Sequence, residues 1–264
     1  MKKRFAAVFA AAVLTLSPAA AASGPTLTIN GAVAGTDAMA QIINDTTYVS
    51  LRSISTSLDP ASVITWENGT ATVQTDTLTL SARESDTYIT VNGTKVKVPH
   101  GIKNSGGNIL VPLRTLAQAF GAVTYWNPVN RQAALVNKFD NSYSSDELYW
   151  LSRIISAESR GEPLDGKIAV GNVVLNRVKS PDFPNTIYGV IFDERWGGQF
   201  EPVRNGTIYQ TPTEESILAA KLCLNGANVI GDSLYFLAPA LAQNFWVVKN
   251  REFVATIGCH DFYR

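Results

Sequence analysis

A carboxylate occupies a position where the local pattern calls for an apolar side chain. In the stretch that opens at Ser144, the residues Leu148, Leu151 and Ile155 recur at the spacing of one helix face, and the next step lands on Glu158. A carboxylate on such a face loses hydration; without a partner it raises its pKa and keeps its proton nearer neutral pH. A carboxyl held in that state meets the requirement for a general acid acting on a glycosidic oxygen. The position also admits a helix-terminal glutamate that turns to solvent or pairs with Arg160 or Arg177, and periodicity alone does not separate the two. Glu162 follows Gly161 in a turn, where a carboxylate can accept backbone N–H groups and hold the start of the next helix.

The elements that must position these groups are marked in the second half. Ser144 with Glu147 three residues on is a capping-box signature, and Gly161 with Pro163 supplies the stop. A second helix, from about Leu164 to Val178, is apolar on most sides and belongs at the centre of a domain. Thr211, Pro212 and Glu214 read as cap, first turn and third position of another helix, running through Ile217, Leu218 and Leu222 to Gly226. Leu234–Leu237, Trp246–Val248 and Phe253–Ile257 read as short strands or extended segments, so this half is α+β with its helices first.

Residues 23–137 have a different texture. Thr70–Gln74, Thr77–Ser81, Tyr88–Val91 and Thr94–Val98 are β-rich runs, and Asn92-Gly93 signals a tight hairpin between the last two. Tyr48–Ile54 (YVSLRSI) is repeated as Leu110–Leu116 (LVPLRTL), with Trp66 and Trp126 at similar remove, giving a strand–helix–strand unit used twice. Residues 138–145, polar and without periodicity, read as a linker ahead of a domain at 146–264.

Residues 1–22 have the form of a secretory signal peptide: Lys2, Lys3 and Arg4, an apolar run from Phe5 to Leu16, then small residues. That run is too short for a stable membrane span. Cleavage near Ala22 removes three of the 22 basic side chains and none of the 22 acidic ones, and a net charge near −3 argues against nucleic acid. Export to an oxidising compartment would let Cys223 and Cys259 pair and close a loop of about 36 residues. With two histidines, His100 and His260, and no Cys/His cluster, no metal or other cofactor is expected.

Residues 40–137 resemble the copper amine oxidase N-terminal-like stalk domain of exported Gram-positive proteins, although a lone His100 makes no copper site. SAESRGEP at 156–163, VVLNRV at 173–178, FPNTI at 183–187, Gln199-Phe200, Leu234-Tyr235-Phe236 and IGCHDFY at 257–263 together resemble the catalytic domain of spore-cortex-lytic enzymes and related cell-wall hydrolases, over residues 147–264. The resemblance implies a lysozyme-like fold behind a small β-rich α+β stalk, with Glu158 as the catalytic residue. It implies peptidoglycan as the substrate, outside the cell in the wall or spore cortex of a Gram-positive type bacterium.

On the substrate-binding side the same resemblance brings in Arg160, Glu162, Gln199, Phe200, Tyr235 and Phe236. Gln199 would position a water or a sugar hydroxyl, and each aromatic either stacks on a sugar face or packs in the core. Cys223, Cys259 and His260 are given structural roles. The chain departs from its relatives at Glu201 and at Leu237-Ala238-Pro239. A single acid/base residue favours the lytic transglycosylase route. A hydrolytic muramidase would need a second carboxylate from Glu201, Asp193 or Glu194. A non-catalytic wall-binding scaffold with a degenerate enzyme domain is the reading from another class.

Overall fold

The computed structural model describes residues 24–242 and 244–264, so the leader read at residues 1–22 lies outside it. The chain is α+β in both halves, with a β-rich first half and three long packed helices in the second.

Strands β1 (Thr26–Ile29), β2 (Ala32–Val33), β3 (Gln41–Ile43) and β4 (Thr46–Ser50) lead into helix α1 (Leu51–Leu58). Next come β5 (Val63–Glu67), β6 (Thr70–Gln74), β7 (Thr79–Arg83), β8 (Tyr88–Val91) and β9 (Thr94–Lys97), a five-stranded antiparallel meander. Then β10 (Lys103–Ser105), β11 (Asn108–Pro112), α2 (Leu113–Ala119), β12 (Val123–Asn127) and β13 (Gln132–Val136) close the half, with β13 parallel to β1. The sequence repeat is a structural one. Its strands β4 and β11 pair antiparallel, Val111 opposite Val49, and each runs directly into a short helix. Asn92 and Gly93 take positive φ values of 48° and 82°, the left-handed pair that a two-residue hairpin turn needs.

The second half comprises α3 (Ser145–Ser159), α4 (Leu164–Lys179), α5 (Ile187–Ile191), α6 (Glu201–Asn205), α7 (Glu214–Leu224) and α8 (Trp246–Asn250), with β14 (Tyr235–Leu237), β15 (Phe253–Ile257) and β16 (His260–Tyr263) in a three-stranded sheet. The capping box at Ser144 and Glu147 is formed in both directions. Leu151, Ile154 and Ile155 of α3 meet Ile168, Val173 and Val174 of α4 and Ala219 and Leu222 of α7 in a core from which water is excluded. Each of the valine, leucine and isoleucine side chains contributes about 1.5–3 kcal/mol by burial. No helix among the described residues is long and apolar enough to cross a membrane.

Three sequence readings are corrected here. The third long helix is capped by Thr213, whose hydroxyl accepts from Ser216 N–H at 3.1 Å, so Thr211 and Pro212 lie outside it. Trp246–Val248 is helical, not extended: Asn244 accepts from Trp246 N–H at 2.9 Å and starts a turn, and among the described residues the segment pairs with no strand. Cys223 and Cys259 are free. The thiol of Cys223 is buried against α4, 3.4 Å from the Ile168 carbonyl, whereas Cys259 is exposed in the turn between β15 and β16.

Residues 138–144 hold no helix or strand, yet they are tied down. Phe139 packs on the second core, and Asp140 N–H donates to Asn225 at 2.6 Å. The β12–β13 hairpin docks on the same core through Val123, Tyr125 and Val136. Trp126 N–H donates to Asp165 at 3.2 Å, and the Asn127 amide donates to the Asn228 carbonyl at 2.7 Å.

Candidate active site

Glu158 sits in the last turn of α3, beside a cleft of about 330 Å³ lined also by Arg153, Arg160, Glu201, Asn205 and Gln210. The helix face that carries Leu151 and Ile155 into the core carries Glu158 to the edge of that core, half-buried at the cleft wall. Burial raises its pKa, the charge of Glu201 raises it further, and Arg177 pulls it back, leaving it at about 7 against an ordinary 4.5. A carboxyl so poised holds a proton near neutral pH and takes it back once it has been given up.

Arg177 is the group that sequence reasoning undervalued, naming it only as a possible partner for Glu158. It is 6% exposed on α4. Its Nε donates to the Leu234 carbonyl at 2.8 Å and its Nη1 to Gln199 at 3.2 Å, and its guanidinium lies over the rings of Phe183, Phe200 and Tyr235 at 4.9–5.7 Å. Burial draws its pKa down to about 10, opposed by Tyr235, Asp193 and Glu158. The signal available in the sequence was an arginine near the end of a helix that is apolar on most sides.

Of the residues named for substrate binding, Arg160 lines the cleft and is exposed. Gln199 bonds Arg177 and donates to the Arg195 carbonyl at 3.3 Å. Tyr235 is half-buried, with Arg177 over its ring at 5.7 Å and Arg251 at 4.7 Å. Phe236 stacks on Phe262 with centroids 6.0 Å apart and meets His260 edge-on at 5.3 Å. Phe200 corrects the sequence reading: at 3% exposure it is core beneath Arg177 and offers no face to a sugar.

Glu162 is not among the residues lining the cleft. Its Oε2 accepts from Cys259 N–H at 2.9 Å, so the backbone it holds belongs to the C-terminal hairpin and not to the start of the next helix. Its Oε1 lies 3.9 Å from His260 Nδ1, which has no hydrogen-bond partner among the described residues. Burial lowers the His260 pKa, with Glu162 and Asp261 opposing. The fit is tight at Gly258, where φ is +61° and an added Cβ would stand 1.7 Å from Glu162 Oε2.

The three candidate second carboxylates separate. Asp193 is clamped by Arg195, with its two oxygens 2.9 and 3.0 Å from Nε and one 2.8 Å from Nη2, and this pair holds its carboxyl below the ordinary range. Glu194 precedes a 3-10 turn and is exposed, and neither residue lines the cleft. Glu201, at the first position of α6, does. Among the described residues no group of three His, Cys, Asp or Glu could hold a metal ion. A larger concavity of about 850 Å³ lies on the first half, around Lys97, His100 and Lys103, away from these carboxylates.

The cell wall hydrolase family model matches residues 161–263, beginning just after Glu158, and the copper amine oxidase N-terminal domain model matches residues 28–135. A spore cortex-lytic enzyme of Bacillus cereus is 40% identical over 122 residues, 46% of this chain and 46% of its own. The cell wall hydrolase CwlJ of Bacillus subtilis is 31% identical over 130 residues, 46% of this chain and 87% of its own. The catalytic domain of the germination-specific lytic transglycosylase SleB from Bacillus anthracis is 38% identical; the match covers 47% of this chain and 99% of that one, with a TM-score of 0.43. The chain thus spans about half the length of the spore cortex-lytic enzymes it matches.

Proposed function

The chain belongs to the cell wall hydrolase family, and from that premise we propose that it is an exported enzyme that cuts the glycan strands of peptidoglycan by the lytic transglycosylase route. The observation that carries the proposal is the half-buried Glu158, poised at a pKa of about 7 in a cleft.

In this reading the Glu158 carboxyl protonates the oxygen that bridges N-acetylmuramic acid to N-acetylglucosamine, and the muramoyl C1–O bond breaks. The C6 hydroxyl of the muramoyl sugar then closes on C1 and passes its proton to the Glu158 carboxylate. The acid is regenerated, no water is consumed, and the new end is a 1,6-anhydromuramoyl sugar. Between the two steps Glu158 is an anion, and Arg177, held rigidly by Leu234 and Gln199, is the positive charge that offsets it. Arg160, on the cleft wall, faces substrate. The chain acts outside the membrane after loss of residues 1–22, on vegetative wall or spore cortex, with residues 23–137 as the attached stalk.

Mass spectrometry of digested glycan tests the proposal: each cut should leave an anhydro end one water lighter than a hydrolytic one. The presence of Glu201 in the same cleft favours a second reading, hydrolysis with water activated by that carboxylate, which reducing muramic acid ends would establish. A preparation that leaves purified peptidoglycan intact in a zymogram would point instead to a wall-binding protein.

A further inference from the structure

Trp150 sits at the centre of an aromatic ledge assembled from separate elements. Tyr149 and Trp150 come from α3, Tyr188 and Phe192 from α5 and its end, and Tyr209 from the 3-10 turn after α6. Ring centroids lie 4.9 Å (Tyr149), 5.4 Å (Tyr188), 5.0 Å (Phe192) and 6.4 Å (Tyr209) from that of Trp150, all edge-on. Tyr188 also stacks on Phe192 at 4.4 Å. The three tyrosines are 46%, 54% and 61% exposed, far more than the packing of Trp150 alone requires. Large aromatic rings left open side by side on a folded surface mark a place where something binds.

The ledge is continuous with the cleft of Glu158. Arg153 lines the cleft, places its guanidinium 4.1 Å over the Tyr149 ring and donates to the Gln210 carbonyl at 2.6 Å. Tyr209 is followed by Gln210 and lies two residues after Thr207, both cleft residues. From Trp150 to Glu158 is eight residues of one helix, about 12 Å along its axis at 1.5 Å per residue. That separation is the reach of an oligosaccharide running along α3, not of a single ring.

The chemistry of the surface selects its occupant. Tyrosine rings carry an apolar face beside a hydroxyl, which matches a pyranose with its C–H face and ring of hydroxyl and acetamido groups. The rings brace one another and are held by their elements before anything binds, so little side-chain entropy is lost on contact.

Building on the glycan-cleaving reading above, we propose that Tyr149, Trp150, Tyr188 and Tyr209 form an extended carbohydrate site. It takes the β-linked N-acetylhexosamine units of a glycan strand that lie beyond those flanking the bond to be cut. The site makes the enzyme prefer long strands to short fragments.

The test uses the full chain carrying Glu158→Gln, so that bound glycan is not consumed. Affinity is measured for peptidoglycan glycan freed of its stem peptides, as long strands and as a short fragment, with Tyr188→Ala and Tyr209→Ala added singly and together. Tyr188→Ala removes a stacking contact with Phe192, so unfolding midpoints are measured for every variant and affinity is compared at a temperature where parent and variants are all folded. The parent should bind long strands more tightly than the fragment. The double variant should lose about tenfold of that advantage, equal to about 1.4 kcal/mol. An unchanged ratio of long to short in the double variant overturns the proposal, as does a parent that binds both lengths equally. Lytic activity of the chain with Glu158 intact is scored separately. A chain that cuts while the length ratio is indifferent to the tyrosines refutes the ledge alone; a chain that binds long strands through the tyrosines without cutting refutes the enzymatic reading alone.

Discussion

The Glu162 carboxylate accepts the backbone N–H of Cys259 at 2.9 Å, joining the turn after the helix of Glu158 to the C-terminal hairpin across 97 residues of sequence. The bond leaves no room for a side chain at position 258. Gly258→Ala should therefore destabilise the chain by at least about 2 kcal/mol, combining left-handed backbone strain with the clash against Oε2. Gly226→Ala, at φ +88° with open space around it, reports the strain alone and should cost less. Thermal unfolding of both, and of Gly258→Ala with Glu162→Ala, checks the assignment: relief of part of the Gly258→Ala cost by the second change is the expected non-additivity.

Glu158→Gln should abolish lysis by removing the proton donor, a loss of roughly 10²–10⁴ in rate. It should also stabilise the fold. The Glu158 pKa is about 7 folded against an ordinary 4.5, so the folded state retains a proton that the unfolded chain gives up. Parental stability then falls as pH rises from about 4.5 to 7. Denaturant unfolding should find the variant more stable than the parent above pH 7, by on the order of 2–3 kcal/mol, with the difference vanishing below pH 4.

The rate should follow the protonated form of Glu158, so kcat/KM should decline with a midpoint near pH 7. Because the charge of Glu201 is the second cause of the raised pKa, Glu201→Gln should move that midpoint to lower pH. In the transglycosylase reading the variant still yields anhydro ends; a loss of cutting with no shift of the midpoint would assign Glu201 to water activation instead.

A fragment of residues 138–264 should fold and keep lytic activity, with a lower unfolding midpoint than residues 24–264. It lacks Val123, Tyr125 and Val136 over its core and the Trp126 N–H that Asp165 accepts. Burial already raises the Asp165 pKa, with the Trp126 N–H and Arg114 opposing. Asp165→Ala removes the acceptor of that N–H and leaves it unpaired in the longer chain only, so it should cost more there than in the fragment, a comparison that scanning calorimetry makes directly.

What could be read in advance followed local rules. The capping box at Ser144, the Asn92-Gly93 turn and the repeat around Tyr48 and Leu110 each declare themselves within a few residues, and all three are present. Glu158 was legible because a helix period makes an exception visible. Arg177 was not, since its role arises from a carbonyl, an amide and rings 6 to 58 positions further along the chain. The helix at Trp246 was misread because β-branched neighbours speak for strands, and only the Asn244 turn and the lack of a strand partner among the described residues overrule them. The short helices α5 and α6, each a little over one turn, fall below the length at which periodicity carries information.

The docking of the β12–β13 hairpin on α4 bears on how such chains can be recombined. Joined by a loose tether, two modules can be exchanged among relatives as whole units. Here an incoming first half would have to bring an N–H opposite Asp165, an amide opposite the Asn228 carbonyl and an aromatic ring at the place of Tyr125. Chimeras built at residues 138–145 should thus be viable when these three contacts travel with the graft, and should lose cooperativity between the halves when they do not.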